Sequence, residues 1–341
     1  MLIPVVMLNE DNKLLLRAFK AKNDEFYTRY EDIENEVIHY EKELVDKVIY
    51  CNCDSINSNF LYFFALNFNR FKLKKLICTG LNQNYKIELE SINEEEFTKT
   101  KLKSTILDLK KKLTEKDSVK LDNRYLAIKL TKLFKDEDKE IGDYKSKDCL
   151  NLLDESDIIV TNPPFSLFRD FFTLLTEREK KFLIIGNQTG AAYNCVFPYF
   201  KSGKVRFGLT WARVFDTDKN NQAHVNTEWF TNLKADKYPD KLELTKTYNP
   251  KDYPELDNYK AININKVRDI PKDYKGVMAV PVNFLNKHNP NQFKILGVCK
   301  RNQGTKYLKK MYDDRVFDAQ AVLKENGRRR CLFIRILIKR V

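Results

Sequence analysis

The chain has 341 residues, with 61 Lys and Arg against 48 Asp and Glu, a formal net charge of +13, and 43% hydrophobic side chains. That length suits one large domain with a smaller companion, and the mixture of apolar and charged residues excludes a disordered chain. Seven cysteines without a repeated spacing argue against a disulfide framework and for a reducing, cytoplasmic setting; no apolar run approaches the roughly 18 residues of a membrane span, and MLIPVVMLNEDNK lacks the layout of an export signal.

In chain order, EFYTRYEDIENEVIHYEKELVDK (25 to 47) sets Ile33, Val37, Tyr40 and Leu44 at three- and four-residue steps, which predicts a helix with one apolar face. KVIYC then reads as a strand, NFLYFFALNFNRF as a helix and KKLICTG as a second strand, the alternation of a parallel α/β sheet. From about 90 to 140 the sequence is highly charged with weak helical periodicity, so a helical insertion with little to bury is expected. The sheet resumes at SDIIVT, followed by the helix LFRDFFTLLTEREKK and the strand FLIIG; Arg178, Lys180 and Lys181 would favour the negative end of that helix. Beyond about 235 the texture turns to Pro, Tyr, Asn and Asp with short apolar runs, as in a loop-rich second domain.

Within this pattern DIIVTNPPFSLF stands out, because two adjacent prolines follow a strand that should be buried. Ligands of open α/β sheets gather at the carboxyl ends of strands. Pro163 and Pro164 each fix their own φ and hold the preceding residue extended, so Asn162 and the Pro163 carbonyl become two aimed acceptors with no competing proline N–H. Such a pair suits an NH2 group, and Phe165 beside it suits the face of a base. A proline-stiffened loop whose Ser166 caps the next helix is the plain alternative.

TNPPF resembles the catalytic motif of S-adenosylmethionine-dependent amino-methyltransferases, whose branches act on adenine N6, cytosine N4 or protein glutamine. Together with AKNDEFYTRYEDIENE, VIYCNCD, GDYKSKDCLNLLDESDIIVTNPPFSLFRDFF, TEWFTNL and LDNYKAININKVRDIPKDYKGVMAVPVNFLNKHNPNQF, it is similar to the EcoRI-type adenine-specific DNA methyltransferases over most of the chain. The resemblance implies a Rossmann-like methyltransferase sheet in a catalytic domain, residues 1–235, and a smaller mixed DNA-recognition region, residues 236–341. It also implies S-adenosylmethionine as cofactor and double-stranded DNA as substrate, with a cognate restriction endonuclease as a conceivable companion that shares the site without a stable complex. Asn162, Pro163, Pro164 and Phe165 would be catalytic.

Phe26, Tyr27 and Thr28 are similar to the segment that the family places near the methionine end of the cofactor. CNCD occupies the loop where related enzymes carry a glycine-rich turn, here without glycine: Asn52 and Cys53 would make the turn, and Asp54 would take the cofactor's ammonium or a ribose hydroxyl. Asp143 would accept from the cofactor's adenine amino group, with Tyr144 alongside. CTGLN lacks the acid that many relatives place after the second strand for the ribose. Trp229 and Phe230 suit a core strand better than a base clamp. Lys300 with Arg301, Lys309 with Lys310, and Arg328 to Arg330 suit either phosphate contacts or a solvated surface. An enzyme of the same fold acting on RNA or protein glutamine, and a non-catalytic nucleic-acid binder, are the alternatives.

Overall fold

The computed structural model describes residues 27–341 apart from 94–96, 137, 217–221, 236–238, 301–304, 311–319 and 326. Phe26, one of the expected cofactor residues, lies outside the described residues, as does Arg301. The chain divides into two compact units, Met1–Asn187 with Gly208–Asp236, and Gln188–Phe207 with Lys237–Val341.

The first unit runs β1 (Tyr27–Thr28), α1 (Tyr30–Val37), α2 (Glu41–Leu44), β2 (Val48–Cys51), α3 (Asn59–Leu66), β3 (Lys75–Cys78), β4 (Tyr85–Ile92), α4 (Lys99–Leu113), β5 (Ser118–Asp122), β6 (Leu126–Lys132), α5 (Lys147–Glu155), β7 (Ile158–Thr161), α6 (Phe168–Glu177) and β8 (Lys181–Asn187). The chain leaves it for α7 (Phe197–Ser202) and β9 (Arg206–Phe207), then returns with β10 (Val214–Asp216), β11 (Gln222–His224) and β12 (Thr227–Thr231). Within this unit the central sheet has the order β5-β6-β4-β3-β2-β7-β8-β12. β3, β2, β7 and β8 are parallel, whereas β12, β4, β6 and β5 join antiparallel. The strands of the parallel centre carry almost continuous apolar runs such as IIVT, buried throughout, as expected for strands covered on both faces.

The expected helix over 25–47 is broken. Tyr27 and Thr28 pair instead with Asp216 and Phe215 of β10, and a 3₁₀ turn at Ile38–Tyr40 separates α1 from α2. The expected apolar face survives the break, since Ile33, Val37, Tyr40 and Leu44 are all buried. The charged stretch differs more from its expectation: it holds one helix and two strands that widen the sheet. Leu102, Ile106, Leu109 and Leu113 recur at helical spacing and are buried, while lysines occupy the outer face. Averaged over the whole segment, that charge hides a stripe of four large side chains.

Helix α6 stops at Glu177, before the basic cluster. Lys180 donates instead to the carbonyls of Asp154 and Ser156, both at 2.9 Å, and Lys181 already belongs to β8. Trp229 and Phe230 are fully buried in β12, in keeping with the core reading.

The second unit holds β13 (Ile262–Asn263), β14 (Met278–Pro281), β15 (Phe293–Val298), β16 (Val322–Glu325), β17 (Arg328–Cys331) and β18 (Arg335–Arg340). Four of these form a sheet of order β13-β14-β18-β15, and β16 pairs with β17 in a hairpin. Leu256, Tyr259, Ala279, Leu323 and Leu337 are among its buried core. Lys309 and Lys310 are ion-paired with Glu255 and Asp257, and Arg328 to Arg330 lie exposed on β17. Among the described residues no helix is long and apolar enough to cross a membrane.

If the charged stretch carries part of the core, Ile106→Ala lowers unfolding free energy by about 2–5 kcal/mol in urea titrations; a change within about 0.5 kcal/mol would contradict that.

Candidate functional site

A cavity of about 380 Å³ opens at the carboxyl ends of β2, β3 and β7, within the size range of small-molecule sites. Its walls come from five short segments: Tyr27–Thr28, Asn52–Ser55 with Ser58–Phe60, Gly80–Leu81, Gly142–Tyr144, and Asn162–Leu167. Eleven of the twelve residues singled out by sequence therefore meet in one place, the twelfth being Phe26 outside the described residues.

The order of the strands explains the meeting. β2 lies between β3 and β7, so the loops that leave their three ends are neighbours. The loop after β2 is held from both sides: Asp54 N donates to Thr79 O at 2.8 Å, and Cys53 N donates to Thr161 Oγ1 at 3.3 Å. Thr161 Oγ1 in turn donates to Asp54 Oδ2 at 2.6 Å, and Ser58 Oγ donates to Asp54 Oδ1 at 2.5 Å. Ser58 also caps α3 by accepting from Phe60 N at 3.0 Å. The turn that CNCD makes without glycine is thus stabilised by side chains.

Asp54 is buried, and burial pushes its carboxyl up to about 6 although the Ser58 and Thr161 hydroxyls pull it down. Burial likewise pushes the Cys53 thiol well above its ordinary value, with the charge of Asp54 adding to the effect, so Cys53 is an inert wall at neutral pH. Thr28 Oγ1 and Asn52 Nδ2 in the cavity wall are also buried, with no hydrogen-bond partner among the described residues. Buried polar groups left without partners are costly, and a bound ligand is one way to satisfy them.

Opposite this loop, Asn162 and Phe165 are half-buried in the cavity wall, and Pro163 is buried. Pro164 sits at φ −52° and ψ 127°, leading into a 3₁₀ turn at Phe165–Leu167. Neither this turn nor α6 has a side-chain N-cap, so Ser166 does not play the capping part allowed for it. Phe165 meets the buried Phe215 edge to face, with centroids 6.1 Å apart and planes at 80°. Tyr144 makes a similar contact with Phe171 at 5.2 Å. Asp143 accepts from Lys145 N at 2.8 Å, which fixes its carboxylate in the turn.

Sequence reasoning missed Thr161 and Ser58, which hold Asp54, and the glycines behind the wall. Gly142 has φ +75°, and a Cβ there would lie 2.1 Å from Gly80 O. The signals were available: a hydroxyl residue directly before NPPF, a serine at a helix start, and a glycine opening GDY. Among the described residues no three His, Cys, Asp or Glu side chains cluster as metal ligands.

Comparison with known proteins shows the family of the chain. The family described as adenine-specific methyltransferase EcoRI matches residues 14–227 and 213–341, and the chain belongs to it. Among its relatives, Type II methyltransferase M.EcoRI of Escherichia coli is 39% identical over 84% of this chain and 90% of its own. Type II methyltransferase M.MgeORF184P of Mycoplasma genitalium is 34% identical over 95% and 98%, and M.MpnI of Mycoplasma pneumoniae 32% identical over 95% and 97%. No solved structure matches significantly.

Gly142→Ala forces a left-handed backbone on alanine and a collision with Gly80 O. Its melting temperature falls by several degrees, reflecting a loss of about 1–3 kcal/mol; wild-type stability would show that the wall is not under this constraint.

Proposed function

We propose that the protein transfers a methyl group from S-adenosylmethionine to N6 of an adenine turned out of double-stranded DNA. The observation that carries this reading is the sharing of one cavity by the Asn162–Phe165 turn and the loop around Asp54. A receptor for an aromatic amine and a pocket for a small cationic ligand are thereby brought together. Membership of an adenine-specific family favours this substrate over protein glutamine or a purely binding role.

The cavity's chemistry fits the cofactor. It offers a buried acid, the Asn52 Nδ2 and Thr28 Oγ1 atoms that have no partner among the described residues, and aromatic walls from Tyr144 and Phe165. Asp54 would hold the cofactor's ammonium or a ribose hydroxyl, with Asn52 and Cys53 shaping the turn. Tyr27 and Thr28 would lie toward the methionine end, while Asp143 with Tyr144 would flank the adenine. When bound, S-adenosylmethionine supplies a methyl group already activated by its sulfonium.

The amine of adenine is a poor nucleophile because its lone pair is delocalised into the ring. Asn162 Oδ1 and the Pro163 carbonyl, accepting its two hydrogens, draw the nitrogen toward a tetrahedral shape and localise that pair. Phe165, held edge to face against Phe215, stacks on the base. The nitrogen exchanges one proton for the methyl group, and that proton passes to water. Rate enhancement then comes mainly from holding two reactants in line rather than from an acid or base.

We read the central sheet as a Rossmann-like methyltransferase sheet, and the residues beyond 235 as the target-recognition region. A restriction endonuclease would share the recognised site without forming a stable complex.

Asn162→Ala lowers labelled-methyl transfer to unmethylated DNA by about 10³-fold or more, while DNA and cofactor binding change by less than about threefold; near-normal turnover would refute the assigned role. A second outcome follows from Asp54. Either cofactor contact requires its carboxylate, so affinity for S-adenosylmethionine rises as pH climbs through about 6 and falls by up to about tenfold per unit below it. Calorimetry from about pH 5 to about pH 8 checks this against Asp54→Asn, whose affinity stays flat.

A further inference from the structure

We propose that Trp211, backed by Arg213, is a fixed stacking surface for a DNA base that stays outside the pocket, beside the extruded adenine. This rests on the reading of DNA as substrate. Trp211 is 53% exposed, in a chain whose other tryptophan, Trp229, is fully buried. A single exposed aromatic on a mobile loop needs no explanation, but this one stands on a segment pinned to the core.

The pin is Glu36, a fully buried carboxylate in α1. It accepts from Leu209 N at 3.0 Å, from Thr210 N and Thr210 Oγ1 at 2.7 Å each, and from Tyr40 OH at 2.6 Å. Gly208 lies so close that a Cβ there would come within 2.2 Å of Glu36 Oε1. Past the tryptophan, Thr227 Oγ1 donates to Ala212 O, and Val225 N to Arg213 O at 3.0 Å. The Arg213 guanidinium is bonded to the buried Glu228 at 3.0 Å, and its central carbon stands 5.2 Å from the centre of the Trp211 ring. Backbone and ring are therefore fixed before any partner arrives, which spares the ordering cost that flexible side chains incur on binding.

Location identifies the partner. Trp211 is not among the residues lining the cavity, so it is not the stacking partner of the target adenine. Four residues on, Phe215 packs against Phe165, and four residues of extended chain span at most about 14 Å. A large apolar ring with a cation behind it thus lies one short strand from the place proposed for the flipped base. Turning a base out leaves its neighbours without a stacking partner, and aromatic or apolar side chains at such steps stabilise the opened duplex. Arg213, held by its ion pair with Glu228, keeps its guanidinium against the ring.

The experiment uses the full chain with S-adenosylhomocysteine and duplex plasmid DNA free of adenine methylation. Since Trp229 is buried, acrylamide-quenchable emission reports Trp211. Saturating DNA should reduce that quenching about twofold or more, a change that requires no variant. Trp211→Ala should raise KM for DNA about tenfold or more, with KM for S-adenosylmethionine and melting temperature unchanged, and Trp211→Phe should restore KM to within about threefold. Unchanged quenching at saturating DNA, or a wild-type KM in Trp211→Ala, overturns the proposal. Wild-type chain that transfers no methyl to DNA would instead refute the functional reading itself, so the two failures are distinguishable.

Discussion

The hydroxyl of Thr161 joins the two halves of the candidate site. As the last residue of β7 it precedes Asn162 directly; it receives the amide of Cys53 and donates to the carboxylate of Asp54. One side chain thereby ties the Asn162–Phe165 turn after β7 to the acidic loop after β2. In the proposed methyl transfer, whose rate would depend on the alignment of two molecules, a rigid link between these two segments would matter more than a strong acid or base. The neighbouring parallel strands make the link short, and the buried Ser58 hydroxyl closes it on the other side.

The carboxylate of Asp54 shows what this rigidity entails. Burial raises its pKa to about 6, so the folded protein favours the protonated form more than water does. The sign is that of a group whose folded pKa lies above its unfolded value: its stabilising contribution is complete below the ordinary carboxylate range and is lost as pH rises through about 6. A cationic or hydroxyl-bearing ligand would compensate at neutral pH. The same reasoning applies to Thr28 Oγ1 and Asn52 Nδ2, buried without partners among the described residues.

The charged stretch between β4 and β6 belongs to this design in a way its composition conceals. Lys99 donates to Asn59 Oδ1 at 2.8 Å, and Asn59 Nδ2 to the carbonyl of Thr28 at 2.8 Å. Lys103 reaches Asn57 at 2.8 Å. Solvent-facing lysines of α4 thus brace the loop that starts α3 and, through it, the wall made by β1. Exposed contacts of this kind are individually weak, but the helix that presents them is held by four buried leucine and isoleucine side chains.

Local sequence determined much about this protein. Short apolar runs ending in special residues marked β2, β3, β7 and β8, because a strand buried on both faces admits little else. NPPF announced its own geometry, since proline restricts the backbone whatever surrounds it. What local sequence left open depended on neighbours distant in the chain. Tyr27 and Thr28 follow a helical pattern on paper, yet β10 offered them a ladder from nearly two hundred residues away. The charged insertion widened the sheet because the free edge of β4 supplied partners for its backbone. Thr161 and Glu36 gained their roles only where strand order and packing brought Asp54 and the 208–210 loop to them. Chain order specifies which backbone shapes are allowed; long-range hydrogen bonding and burial select among them, and that selection happens only in the assembled fold.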